Sequence, residues 1–406
     1  MTTTASTWNV SGDENFTESA WLAELCAESK RYLESAGVRS VELTSVACNL
    51  LALSSTSALL WLLVGVESVH THLRVALGST AVSSCAVFGA KLLYQLANAR
   101  RFLWRRRPGH CEAIVVSQAE CSRLLLPSYI ASLALIYAFM GIAVERLWAC
   151  VAFRSYEKRR SKVFIGTLVV FPWALTAALM AKTTAFAEAL QKRPCSSPAS
   201  GCVPYCSSFT TSLIGDTYSP MPIVFNVTVS TALLATFGIV LVWSRKTKRN
   251  SMVADLLFHS ARGTLGAKYQ LNENIRTTEA VFQVMAVYFF AMNYPQIVFA
   301  LSRKRVLDFF LPTTFEKILF QEASALCFPL FGLSFSLMVT RSSSQMRSTA
   351  RRLAPALIGD VLFKPILVTP TAKHDNKDDY FLKLAELWSR QRMGAPQAAS
   401  PDSVSN

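Results

Sequence analysis

The chain has 406 residues, of which 51% are hydrophobic and 17% charged, and its formal net charge is +15. The apolar residues gather in seven runs of about 20, long enough to cross about 30 Å of hydrocarbon, and seven such runs would overwhelm the surface of a soluble helical core. The basic excess flanks those runs and forms no separate basic domain, which excludes a nucleic-acid-binding module and sets the chain in a lipid membrane.

Residues 1–43 are polar and acidic, with Asp13, Glu14, Glu18, Glu24, Glu28 and Glu34. This stretch carries two glycosylation acceptors, Asn9-Val10-Ser11 and Asn15-Phe16-Thr17. Such acceptors are used only on the external side, so Asn9 and Asn15 favour an extracellular N-terminal tail. A third match, Asn226-Val227-Thr228, falls inside a span and is expected to stay unmodified. No basic start followed by an apolar stretch occurs in the first 40 residues, so the first span should serve as its own signal.

Spans are expected at 44–66, 73–94, 124–149, 163–186, 221–242, 280–301 and 318–339. This is an all-α membrane protein: a seven-transmembrane helix bundle over 44–339. With the N-terminus outside, the odd number of spans leaves 340–406 as a cytoplasmic tail. The loop after the second span holds Arg100, Arg101, Arg105, Arg106 and Arg107 on the outer side, against the usual distribution of basic residues. It reads as a solvated loop inserted after earlier helices have fixed the orientation. The alternative is an electropositive mouth that attracts anionic ligands.

The third span has a measurable frame. Cys121 precedes Arg146 by 25 residues, about 37 Å of helix, so Cys121 stands at the outer end and the adjacent Glu145 and Arg146 at the inner end. Cys111, Cys121, Cys195, Cys202 and Cys206 lie in the outer loops flanking the third and fourth spans, where disulfides persist. Cys121 is expected to pair with one of Cys195, Cys202 or Cys206, and Cys111 is a candidate for a second bond; the partners stay open. Cys26 either pairs or stays free. Cys48, Cys85, Cys150 and Cys327 read as small apolar residues of the spans.

Further along, Pro172, Pro295 and Pro329 interrupt the fourth, sixth and seventh spans and can kink them. Asn293-Tyr294-Pro295 lies in the outer part of the sixth. Residues 268–278 hold no breaker and should extend the sixth helix inward. Residues 341–352 are basic and serine-rich, and an amphipathic helix carrying Phe381, Leu384 and Trp388 is expected near 378–390.

An acidic residue followed by Arg at the inner end of a third helix, with a Cys one membrane thickness earlier, resembles the arrangement of seven-helix receptors that couple to G proteins. Glu145-Arg146, Ala149 and Tyr156-Glu157-Lys158 are similar to the "ER, Ala, YEK" stretch of nematode serpentine chemoreceptors of classes a, b, ab and e, nearest to class e. Residues 268–275, Lys-Tyr-Gln-Leu-Asn-Glu-Asn-Ile, are similar to the family's "RYQ…EN" segment, with Lys268 where Arg is usual. Tyr380-Phe381, Leu384 and Trp388 are similar to its C-terminal "YF..L…W".

The resemblance implies a chemosensory receptor in the plasma membrane of a sensory neuron. It would bind a small external molecule and act on a cytoplasmic heterotrimeric G protein. Glu145 would hold Arg146 at rest. Arg146, Lys158, Lys268, Tyr269 and Glu273 would belong to the coupling surface. In such a bundle the second and seventh helices are neighbours, so Lys91, Tyr94, Asn293, Tyr294 and Glu322 are ligand-pocket candidates, with a Lys91–Glu322 pair at their centre. The alternative for that pair is two charges reaching water separately.

A ligand-gated channel of inverted topology is the second functional reading. A transporter predicts matching broken helices in an internal repeat, and none is visible. No nucleophile–base cluster, phosphate loop or metal-ligand spacing stands out, so no enzyme activity, cofactor or metal is expected. Homo- and hetero-oligomers both remain open.

Overall fold

The computed structural model describes residues 18–65, 71–104, 116–151, 162–190, 202–203, 206, 221–258, 265–303, 311, 314–342 and 344–353. Asn9, Asn15, Cys111, Lys158, Cys195, Arg105 to Arg107 and the helix expected near 378–390 lie outside these residues. So do the side chains of Lys268, Tyr269 and Glu273, whose backbone is described.

Ten helices run through the described residues: α1 (Glu18–Glu34), α2 (Ala36–Gly65), α3 (Thr71–Trp104), α4 (Gln118–Val151), α5 (Lys162–Leu190), α6 (Met221–Phe258), α7 (Leu265–Arg303), α8 (Thr314–Ser324), α9 (Cys327–Ser342) and α10 (Ser344–Leu353). Two short strands, β1 (Val116–Ser117) and β2 (Cys202–Val203), pair antiparallel, with Val116 opposite Val203 and Ser117 opposite Cys202. Six helical stretches are long and apolar enough to cross a membrane: Ala36–Gly65, Thr71–Arg100, Arg123–Val151, Val224–Asn250, Asn274–Val298 and Phe315–Ser342. Gly166–Ala178 of α5 is a shorter apolar stretch, and it stands where the fourth span is expected.

A helix suits lipid because its backbone N–H and C=O groups pair within it. Hydroxyls within the spans donate to carbonyls one turn back: Thr56 to Ala52, Thr80 to Ala76, Ser84 to Thr80, Thr176 to Pro172 and Thr340 to Ser336. The outward faces are apolar, as Leu50, Leu51, Leu93, Leu96, Val170 and Ile239 show. The exposed Trp61 and Trp148 stand near the ends of α2 and α4, the depth at which tryptophan collects in membranes, and the exposed Trp243 stands where the apolar part of α6 gives way to Arg245 and Lys246.

The helices close into a ring around α4. That helix packs on α3, α5, α6 and α7, while α9 joins α7 to α2 and so completes the circle. At its centre Phe139 of α4 meets Tyr288 of α7 at 4.5 Å between ring centroids. Phe331 and Phe335 of α9 stack beside them at 5.9 Å. Next to this stack the absent side chain of Gly332 makes room for Phe88 of α3: a Cβ there would stand 2.4 Å from Phe88 Cζ.

Two expectations need correction. Residues 18–34, expected as part of a polar tail, form α1, and the first spanning helix starts at Ala36 rather than near 44. Ser35 divides the two helices, its Oγ accepting from the Val38 amide as an N-cap. Tyr32 and Val38 are buried against Phe315, Ile318 and Leu319, so α1 is held down by apolar contact with α8.

The seventh span is also not one helix. It breaks at Ala325 and Leu326 between α8 and α9. Pro329 cannot donate to the Ala325 carbonyl four residues back. The Phe328 amide bonds that carbonyl instead, at 3.2 Å, and Leu326 likewise bonds three residues back to Ala323. The chain tightens for about one turn and then resumes.

Candidate functional site

At one end of the bundle α4 carries Glu145 and Arg146, exposed by only 0% and 2%. Burying two charges in this setting requires close pairing. The Arg146 fork supplies it: Nε donates to Glu145 Oε2 at 2.5 Å and Nη2 to Oε1 at 2.6 Å. The remaining nitrogen, Nη1, crosses to α7 and donates to Thr277 Oγ1 at 2.6 Å.

From there a circuit closes. Thr277 Oγ1 donates to the Asn274 carbonyl at 3.2 Å, and Asn274 Nδ2 returns to the Ala149 carbonyl of α4 at 3.3 Å. Two segments far apart in the chain, 145–149 and 274–277, thus hold each other. Glu145, Arg146, Ala149 and Asn274 belong to the motifs that carry the family resemblance, and Thr277 lies two residues beyond the second of them. Ala149 is completely buried at this crossing.

Neighbouring contacts brace the same end. Ser244 of α6 donates to Val240 O at 2.7 Å, so the Cys150 thiol is the donor in its 2.9 Å bond with Ser244 Oγ. Arg245 and Glu279 pair across α6 and α7 at 2.8 Å, and Lys248 Nζ reaches Asn272 Oδ1 at 2.8 Å. His72, at the start of α3, is buried edge-on to Phe164 and within electrostatic reach of Glu145.

At the opposite end Cys121 is bonded to Cys206 rather than to Cys195 or Cys202. The Cys206 carbonyl accepts from the Tyr94 hydroxyl, and from Asn98 Nδ2 at 3.5 Å, both on α3. With the β1–β2 pairing, this straps the segment before α6 across α3 and α4. Cys26 is also disulfide-bonded.

The pocket candidates separate. Lys91 and Tyr94 share the inward face of α3, one turn apart, and Lys91 Nζ lies 4.3 Å from the centre of the Phe328 ring. The Glu322 carboxylate on α8 acts on Lys91 through space. Asn293 is buried, 3% exposed, and donates to Ser230 Oγ at 2.9 Å and Phe289 O at 2.7 Å. Tyr294, its neighbour in the chain, is 45% exposed. Tyr94 serves the strap through its hydroxyl.

Sequence reasoning singled out neither Thr277 nor Ser244 as a partner. A threonine in a helix ordinarily bonds its own backbone, so spacing alone gives no signal that Thr277 faces an arginine.

Residues 23–356 match the family described as serpentine type 7TM GPCR receptor class ab chemoreceptor. Serpentine receptor class alpha/beta-14 of Caenorhabditis elegans is 22% identical over 315 residues, covering 75% of this chain and 73% of the relative. The matching class is ab, one of the four classes whose motifs the chain resembles, which corrects the expectation of class e. Such receptors are multi-pass proteins of the plasma membrane, and the match supplies the seventh span that apolar length alone leaves short in α5. The chain belongs to the class ab family of serpentine seven-transmembrane chemoreceptors.

Proposed function

We propose that this receptor binds a small external molecule near its Cys206 end and activates a heterotrimeric G protein at its Arg146 end. In this reading the N-terminus is outside and carries glycans on Asn9 and Asn15, and residues 340–406 are cytoplasmic. The observation that carries the reading is the buried Glu145–Arg146 fork latched to Thr277. A bidentate pair with one bond to another helix can serve as a two-position device, since α4 and α7 cannot separate without breaking the Arg146–Thr277 bond.

Ligand binding that favours separation would release Arg146 toward the partner. Lys158, Lys268, Tyr269 and Glu273 flank that opening in the sequence and are assigned to the coupling surface. The inverted channel is not favoured, because the family is one of receptors.

Ligand-driven guanine-nucleotide exchange, measured in membranes carrying the receptor and a G protein, tests the reading. Arg146→Ala should abolish exchange while leaving surface expression intact. A full response from that variant would remove the assigned role. An N-terminus that is unglycosylated and shielded from external protease would overturn the orientation.

A further inference from the structure

The break in the seventh helix lies opposite the one lysine inside the described part of the second span. Non-helical backbone at membrane depth persists where it lines a polar cavity or is enclosed by protein, and broken helices often accompany membrane binding sites. Phe88 faces Gly332 and Lys91 faces Phe328. Three residues along α3 therefore correspond to four residues back along α9, an antiparallel register. Continuing it by one turn brings Ala325 and Leu326 level with Tyr94 and Gln95. Tyr94 holds the Cys206 strap at that same level. Lys91 thus stands one turn beneath the strap, beside the break.

Its ammonium is unusually placed. It offers three donors, yet among the described residues its close partner is the face of Phe328, which accepts a cation but provides no oxygen. Gln95, the next polar side chain on that face, is already engaged with Ser45 Oγ at 2.5 Å and with Asn49 Nδ2 at 3.4 Å. Among the described residues this charge inside a span faces a ring and a through-space carboxylate, and its three donors are available to an anion.

We propose that Lys91 is the head-group site for a small organic anion, with an ionised carboxylic acid the simplest member of that class. The acid would take the ammonium's donors and lie against Phe328 under the strap, with Glu322 opposing it. This inference rests on the receptor reading above and names the chemistry of its ligand.

The test uses purified full-length receptor in phosphatidylcholine nanodiscs, so neither a G protein nor an anionic lipid is present. Hexanoic, octanoic and benzoic acids are titrated against their methyl esters and matching primary amines, with thermal stabilisation as the readout. The acids should stabilise the receptor and the esters should not. Lys91→Gln should weaken the acid effect by about 10- to 100-fold, the scale of a hydrogen bond to a charged group. Lys91→Arg should retain most of it, and Glu322→Gln should strengthen it.

Equal stabilisation of wild type and Lys91→Gln would overturn the site. So would stabilisation by amines in place of acids, or no effect of any acid on wild type. A parallel arm with phosphatidylglycerol nanodiscs separates the sources: Lys91-dependent stabilisation by that lipid alone would assign the site to lipid and reject the soluble acid. Failure of G-protein coupling leaves this assay untouched, and a receptor that signals through Arg146 yet ignores acids would overturn only the present inference.

Discussion

Arg146 on α4 donates to Thr277 on α7 at 2.6 Å, and this is the bond of the Arg146 fork that Glu145 does not receive. The pair with Glu145 is internal to one helix and can survive a helix movement. The bond to Thr277 cannot. Thr277→Val keeps the shape and removes the acceptor, leaving one donor of a buried guanidinium unpaired at about 1–3 kcal/mol. Basal nucleotide exchange should rise up to about tenfold, since 1.4 kcal/mol moves a two-state equilibrium by that factor. Unchanged basal exchange in Thr277→Val would mean that this bond does not hold the resting state.

Ala149 marks the second crossing of the same circuit. It is buried where Asn274 reaches its carbonyl. Ala149→Leu adds volume to a filled contact, at about 1–3 kcal/mol of overpacking, and should push α4 from α7. Asn274→Ala removes the donor without adding bulk. Both should raise basal exchange, and the double variant Asn274→Ala with Thr277→Val should give less than the product of the two, because one circuit joins them. Independent effects would show that the two bonds act separately.

The fold was largely legible because lipid imposes one strong rule: apolar runs of spanning length must be helices. The span positions came from that rule, and it needs no knowledge of neighbours. The boundaries it missed have local causes. The helix before Ala36 is too polar to register as a span, yet Tyr32 and Leu33 anchor it. The seventh span read as continuous because its apolar run is continuous, whereas Pro329 breaks the hydrogen bonding. At the site, Glu145 and Arg146 were readable as misplaced charges. Thr277 was not, since pairing across helices depends on rotation about each helix axis, which hydropathy does not record.

Gly332 offers a packing test independent of signalling. A Cβ at this position would stand 2.4 Å from Phe88 Cζ and 3.2 Å from Ala52 Cβ, and Phe88 is fully buried. Gly332→Ala should destabilise the purified receptor by about 1–3 kcal/mol, seen as a lower melting temperature. Phe88→Leu placed on that background should recover part of the loss by withdrawing the ring edge. A melting temperature unchanged in Gly332→Ala would show that α3 and α9 are less closely packed than described.

The Cys121–Cys206 bond closes 85 residues of chain. Its removal in Cys121→Ser should cost roughly 2–4 kcal/mol, and Cys206→Ser should match it. Tyr94→Phe removes only the hydroxyl that meets the Cys206 carbonyl and should cost less, about 1 kcal/mol. Peptide mapping under non-reducing conditions should recover 121 linked to 206. Linkage of 121 to 195 or 202 would contradict the strap.

Pro329 sits where the seventh helix resumes, and its effect can be separated from that of its neighbours. Pro329→Ala restores an amide that can bond the Ala325 carbonyl, which Phe328 now takes. The break at Ala325 and Leu326 should then relax toward continuous helix. Amide hydrogen exchange should slow over residues 325–329 and stay unchanged in the α4 segment around Phe139, which packs elsewhere on α9. Straightening also turns Phe328 relative to Lys91, because a change of one residue in the winding rotates a helix face by about 100°. Acid-induced stabilisation should therefore weaken in Pro329→Ala although no charged group has changed. Faster exchange at 325–329 would show that the proline holds the local turn together instead of causing it.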